Sequence, residues 1–130
     1  MRAATMLART LWGECRGEPY LGQLAVACVI RNRVDDIRWP DTYEGVVLQP
    51  KQFSCWNGEG VQHDIKSLKW KVLMHIANGI IEDLIPDVSH GANHYINAYA
   101  QPPDPEWARQ FGKITLWPGP EVGVHTFFRL

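Results

Sequence analysis

Long apolar runs, cysteine pairs and net charge are all scarce in this chain of 130 residues, and each shortage excludes something. No stretch approaches the ~20 apolar residues that a membrane-crossing helix requires. The opening Met1-Arg2-Ala3-Ala4-Thr5-Met6 leads into a mixed polar and apolar segment and lacks the continuous apolar core of a secretory signal. Thirteen basic against fourteen acidic residues leave a formal charge of −1, with no electrostatic footprint for nucleic acid. Three cysteines, Cys15, Cys28 and Cys55, cannot all pair, and the first two sit in apolar surroundings where a thiol acts as a small hydrophobe. No disulfide framework is expected. Internal repeats and low-complexity segments are absent. What remains is ordinary globular composition with a high aromatic load, six tryptophans and four tyrosines, suited to stacking on sugar rings or to filling a core. A chain of this length buries about two-thirds of its unfolded surface, enough for one core. Residues 1–130 are therefore expected to form a single domain.

The most informative stretch is Leu11-Trp12-Gly13-Glu14-Cys15-Arg16-Gly17-Glu18-Pro19-Tyr20. Ala4, Leu7, Leu11 and Glu14 recur at helical spacing, so a carboxylate closes an otherwise apolar stripe. Lost hydration at such a position raises a carboxyl pKa, as a general acid requires. The structural alternative is a partly buried acid paired with Arg9, Arg16 or another arginine. Glu18 lies between Gly17 and Pro19, and proline disfavours the α conformation in the residue before it, so Glu18 is expected at a junction.

Taken in order, the first helix is expected over about Ala3 to Cys15 and a second from about Pro19 to Val34. The run Leu24 to Ile30 is apolar on most sides, which marks the central helix of its domain, although a short buried run can also be a strand. Asp41-Thr42-Tyr43-Glu44 reads as a capping box with Asp41 at the N-cap, opening a short helix to about Leu48. Gln52 to Trp56 is expected to be extended before an Asn57-Gly58 turn, and about Ser67 to Asn78 forms another helix, with two endings open: a stop at Asn78-Gly79, or continuation past a glycine kink through Ile80 and Ile81. Ala92 to Asn97, Lys113 to Trp117 and Val122 to Phe128 read as short strands, with a helical turn at Glu106 to Arg109. In the last strand Val122, Val124, Thr126 and Phe128 should share one face, and Gly123, His125 and Phe127 the other. Helices first and strands late predict an α+β fold with a small antiparallel sheet beside a helical core.

The Leu11-to-Tyr20 stretch, with Gly22-Gln23, Val26, Asn32-Arg33-Val34, Pro50, Gln52-Phe53, Tyr95, Asn97, His125 and Phe127, resembles the catalytic domain of the SleB/CwlJ family of cell-wall hydrolases, the spore-cortex-lytic enzymes and their phage endolysin relatives. The resemblance is densest from Leu7 to Phe53. It implies a lysozyme-like fold, cleavage of peptidoglycan glycan strands, and Glu14 as the acid, being the first glutamate of an acidic-x-Arg-Gly-Glu motif. Cys15 departs from the small alanine usual there. Hydrolysis by two carboxylates needs a partner acid, for which Glu18 is the candidate. The resemblance favours a lytic transglycosylase, in which the 6-hydroxyl of N-acetylmuramic acid attacks its own anomeric carbon and one glutamate serves as acid and then base.

Gln52, Phe53 and Ser54, with Tyr95 and Asn97, are the candidate substrate contacts, since rings stack on sugars and amides bind N-acetyl groups. Glu14 is expected to face a groove lined by residues 52–56 and 93–97. Gln23 and Asn32 on the second helix can instead tie it to neighbouring loops. No cofactor is expected, and the partner is the glycan strand, met by a monomer. With no secretory signal read in the sequence, such a protein is expected to be made in the cytoplasm and to reach the wall through a separate membrane-permeabilising protein. Two other classes stay open: a zinc peptidase using His90 and His94 with other histidines and carboxylates, and a sugar-binding module without catalysis.

Overall fold

The computed structural model describes residues 2–50, 52–53, 56, 65–100 and 104–130. Ser54, Cys55, the Asn57-Gly58 turn, His63 and Pro102-Pro103 lie outside the described residues. Four helices come first, α1 (Arg2–Cys15), α2 (Tyr20–Val34), α3 (Tyr43–Val47) and α4 (Leu68–Ile81). Three strands follow, β1 (His94–Asn97), β2 (Ile114–Leu116) and β3 (His125–Phe128), with 3-10 turns at Glu106–Arg109 and Phe111–Lys113. The sheet is antiparallel in the order β1-β3-β2.

The apolar run of the second helix is helical, and Ala25 through Ile30 are fully buried. A helix without a polar side has to be surrounded, and α2 touches α1, α3, α4 and β1. On α1 the stripe Ala4, Leu7 and Leu11 is buried, which fixes the rotation of the helix and brings Glu14 to the edge of the core. Two amides fasten the hub. Gln23 Nε2 donates to the carbonyls of Cys15 and Arg16, both at 3.4 Å, holding the end of α1. Asn32 Nδ2 reaches Ala92 O at 2.9 Å, Asp87 Oδ2 at 3.1 Å and Ser89 Oγ at 3.3 Å, holding the approach to β1.

Gly22 lets the first turn of α2 approach the loop before β3, because a Cβ there would lie 2.0 Å from the Val122 carbonyl oxygen. Two expectations are corrected, for α3 and β3, and the open end of α4 is settled. The N-cap of α3 is Thr42, whose Oγ1 accepts from Gly45 N at 2.9 Å, while Glu44 pairs with Arg2 at 3.0 Å instead of closing a capping box with Asp41. Helix α4 continues through Gly79 to Ile81, since Ile85 packs where a Gly79 side chain would be. Strand β3 is shorter than the 122–128 alternation, and all four of its residues are buried, because Trp107 stands edge-on to Phe128 while Tyr95 packs with Phe127.

Candidate active site

Glu14 sits in the last turn of α1, on the wall of a cavity of about 350 Å³. Its near side is the end of α1 and the junction, Gly13 to Glu18; its far side is Asn97, Val124 and His125, with Lys69 of α4 between them. The pairing of β1 with β3 sets Tyr95 opposite Phe127 and Asn97 opposite His125, so these four side chains share the sheet face turned towards Glu14.

The Tyr95 hydroxyl donates to Glu14 Oε1. Burial pushes the Glu14 carboxyl above its ordinary value of 4.5, opposed by the Tyr95 bond and then by the charge of Arg33. Burial likewise pushes the Tyr95 phenol well above its usual range, with Glu14 adding to the effect, so it remains a donor. The arginine beside Glu14 is therefore Arg33 of α2, and neither Arg9 nor Arg16. Arg33 is itself buried, with Nε donating to Asn93 O at 2.8 Å and Nη1 to Gln52 Oε1 at 3.1 Å. Trp39 and Phe53 flank its guanidinium at 5.3 and 5.9 Å. The protonated acid is thus favoured by desolvation, and the carboxylate left after proton transfer is met by a phenol donor and a cation.

Glu18 is turned to a different task. Its Oε1 accepts from Val124 N at 2.7 Å and lies 3.9 Å from His125 Nδ1, pinning the loop before β3 to the α1–α2 junction. Gly123 makes this possible: it adopts φ +99°, and a Cβ there would stand 2.4 Å from Glu18 Oε1. His125 is buried edge-on to Tyr95, with ring centroids 4.8 Å apart, and burial lowers its pKa.

Of the candidate substrate contacts, Tyr95 and Asn97 are at the site, Asn97 on the cavity wall with its Oδ1 accepting from Tyr99 N at 2.9 Å. Gln52 reaches the site only through Arg33. Phe53 is 2% exposed and belongs to the core, so it presents no face for a sugar. Among the described residues the far side of the groove is Asn97, as expected, with Val124 and His125, and not Gln52, Phe53 or Trp56. The proposed zinc pair does not converge: His90 is exposed, and His94 lies between Trp39 and Trp107 with Nδ1 2.8 Å from Asn93 Oδ1. Among the described residues no three histidine, cysteine or acidic side chains are grouped to hold a metal ion.

Arg33, His125 and Lys69 are site residues that the sequence reading did not select. Arg33 carried a usable signal, because Val26, Ile30 and Arg33 form an apolar stripe ended by a charge, as Leu7, Leu11 and Glu14 do on α1.

A glutamate at the end of a helix, facing a small antiparallel sheet across a cleft, places the protein in the lysozyme-like class. The chain belongs to the Cell Wall Hydrolase family, whose model matches residues 17–128, beginning just after Glu14. It is similar to the spore cortex-lytic enzyme of Halalkalibacterium halodurans, 34% identical over 92 residues, covering 71% of this chain and 26% of that protein. A stretch of 50 residues is 51% identical to the spore cortex-lytic enzyme of Bacillus cereus, covering 38% of this chain and 19% of that protein. The chain thus spans about a quarter or less of the length of these curated relatives. Among solved structures it resembles the catalytic domain of the germination-specific lytic transglycosylase SleB from Bacillus anthracis, with TM-score 0.75, 29% identity, and coverage of 99% of this chain and 95% of that one. The catalytic domain of the Bacillus cereus SleB protein matches with TM-score 0.70, 28% identity, and coverage of 99% and 91%.

Proposed function

We propose that residues 1–130 act as one catalytic unit that cleaves peptidoglycan glycan strands between N-acetylmuramic acid and N-acetylglucosamine, as a lytic transglycosylase with Glu14 as its only proton-transfer group. The observation that carries this reading is the setting of Glu14, where burial favours the protonated form and Tyr95 and Arg33 back the carboxylate once the proton leaves. Glu14 gives its proton to the leaving glycosidic oxygen as the bond from the muramic acid anomeric carbon breaks. The muramic acid 6-hydroxyl oxygen then bonds to that carbon, and its proton returns to the Glu14 carboxylate. No water is consumed, and the acid is restored. Glu18, bonded to Val124 N, serves to brace the cleft, which supports the one-carboxylate route over a two-carboxylate hydrolysis. The site of action is the bacterial cell wall and the working form a monomer, released to the wall through a separate membrane-permeabilising protein in the manner of a phage endolysin.

The test is a pair of isosteric substitutions. Glu14→Gln keeps an acceptor for Tyr95 but has no proton to give, so the protein folds and its activity on purified peptidoglycan falls by about 10²–10⁴. Glu18→Gln retains an acceptor for Val124 N and costs far less. Equal losses in the two variants would instead mark a hydrolase with two working carboxylates.

A further inference from the structure

The cleft is continued along α1. Arg2, Met6, Arg9 and Gly13 follow one another in steps of four and three, which keeps them on one face of the helix, and Arg16 follows just past its end. Gly13 and Arg16 line the Glu14 cleft. Arg2, Met6 and Arg9, with Thr5 and Trp56, line a second cavity of about 410 Å³. The two cavities are therefore consecutive along α1, and the helix rises only about 6 Å from Arg9 to Gly13.

The second cavity is built around a cation that no described residue neutralises. Arg9 has no ion pair or hydrogen bond among the described residues, and its Nε is shielded from solvent without an acceptor. Its guanidinium lies 4.7 Å from the centre of the Trp56 ring. That ring is held in place, since Trp56 Nε1 donates to Thr10 Oγ1 at 2.9 Å and Thr10 Oγ1 donates to Met6 O at 2.8 Å. The other cation of the cavity, Arg2, pairs with Glu44 at an exposed position. A guanidinium laid on an indole, with an aliphatic thioether beside it, suits a planar carboxylate attached to an apolar stem.

We propose that the cavity between Arg9 and Trp56 is a subsite for a carboxylate of the peptide stem carried by the glycan strand whose bond lies over Glu14. The assignment rests on the glycan-cleavage reading above, because the stems are where that polymer carries its carboxylates. Seating a stem one cavity away from the acid fixes the register of the strand and favours cleavage beside substituted muramic acid.

Calorimetric binding separates this subsite from the chemistry. The Glu14→Gln protein is titrated with glycan oligomers bearing peptide stems and with the same oligomers after removal of the stems by an amidase. Stem-bearing oligomers bind more tightly; Arg9→Gln in that background lowers the advantage about tenfold or more, as loss of a charge-assisted hydrogen bond does, and Arg9→Lys lowers it less. With Glu14 intact, Arg9→Gln slows turnover of stem-bearing strands through KM and leaves stem-free strands unaffected. Equal binding of the two oligomers, or an advantage unchanged in folded Arg9→Gln, overturns the subsite; should Arg9→Gln not fold, the same readings on Arg9→Lys decide. A Glu14→Gln protein that still clears walls overturns the catalytic reading alone, since stem binding is measured without turnover.

Discussion

Replacing Tyr95 by phenylalanine removes one oxygen from the site and tests how the acid is tuned. The hydroxyl donates to Glu14 Oε1 and lowers the Glu14 pKa against the larger upward push of burial. A hydrogen bond to a charged group is worth about 1.5–3 kcal/mol, and one pKa unit corresponds to about 1.4 kcal/mol. Because the bond to the carboxylate is worth more than the bond to the neutral acid, Tyr95→Phe should raise the Glu14 pKa and carry the basic limb of the pH–activity profile upward. Stability moves with it. A carboxyl whose folded pKa stands above its unfolded value holds a proton in the native state after the unfolded chain has lost its own, so stability falls as pH rises from about 4.5 through the folded pKa and is then level. In Tyr95→Phe that window widens at its upper end. The variant should trail the parent by about 1 kcal/mol in acid, where a neutral bond is lost, and by about 1.5–3 kcal/mol once Glu14 is ionised. Denaturant unfolding at several pH values, with the pH–rate profile, measures both. A basic limb that stays in place or moves downward in a folded variant refutes the tuning of Glu14 by Tyr95.

Gly123→Ala forces a side chain into a left-handed backbone conformation and against Glu18 Oε1, and should cost about 1–3 kcal/mol by thermal unfolding, with activity falling as the wall of the cleft shifts. Gly119→Ala meets nothing within 4 Å and should stay within about 0.5 kcal/mol of the parent. Thr42→Ala removes the observed cap of α3 and should lower stability by about 1 kcal/mol, whereas Asp41→Ala should be near neutral; the opposite order would restore Asp41 as the cap.

Much of this architecture was legible because burial leaves a period. The stripes on α1 and the unbroken apolar run of α2 announced both helices, and the end of the α1 stripe located Glu14 at the edge of the core. The family resemblance supplied the lysozyme-like fold, which periodicity alone does not specify. What the sequence concealed was settled by contacts between distant segments. Nothing local distinguishes Asp41 from Thr42 as a cap until the helix axis is known, and Gly79 reads as a stop until Ile85 is packed against it. Phe53 was read as a sugar platform because its ring type suits one, yet it lies under Arg33 in the core. Glu18 could be placed at a junction from Pro19, but its bond to Val124 N joins residues 106 apart in the chain, which no spacing rule reaches. Arg33 lies in the last turn of α2, where a cation suits the helix end, and its role beside Glu14 emerges only when α2 is packed against β1.

The products of digestion record which oxygen attacks the anomeric carbon. Peptidoglycan is digested to completion with the purified protein, and the soluble fragments are analysed by mass spectrometry without prior reduction. With Glu14 serving as acid and then base to the muramic acid 6-hydroxyl, every new muramic acid end is a 1,6-anhydro sugar, lighter by one water than a reducing end and inert to borohydride. Glu14→Gln yields about 10²–10⁴-fold fewer in the same time. Reducing muramic acid ends that incorporate oxygen from labelled water would contradict the account, and would return Glu18 to consideration as a second working carboxylate.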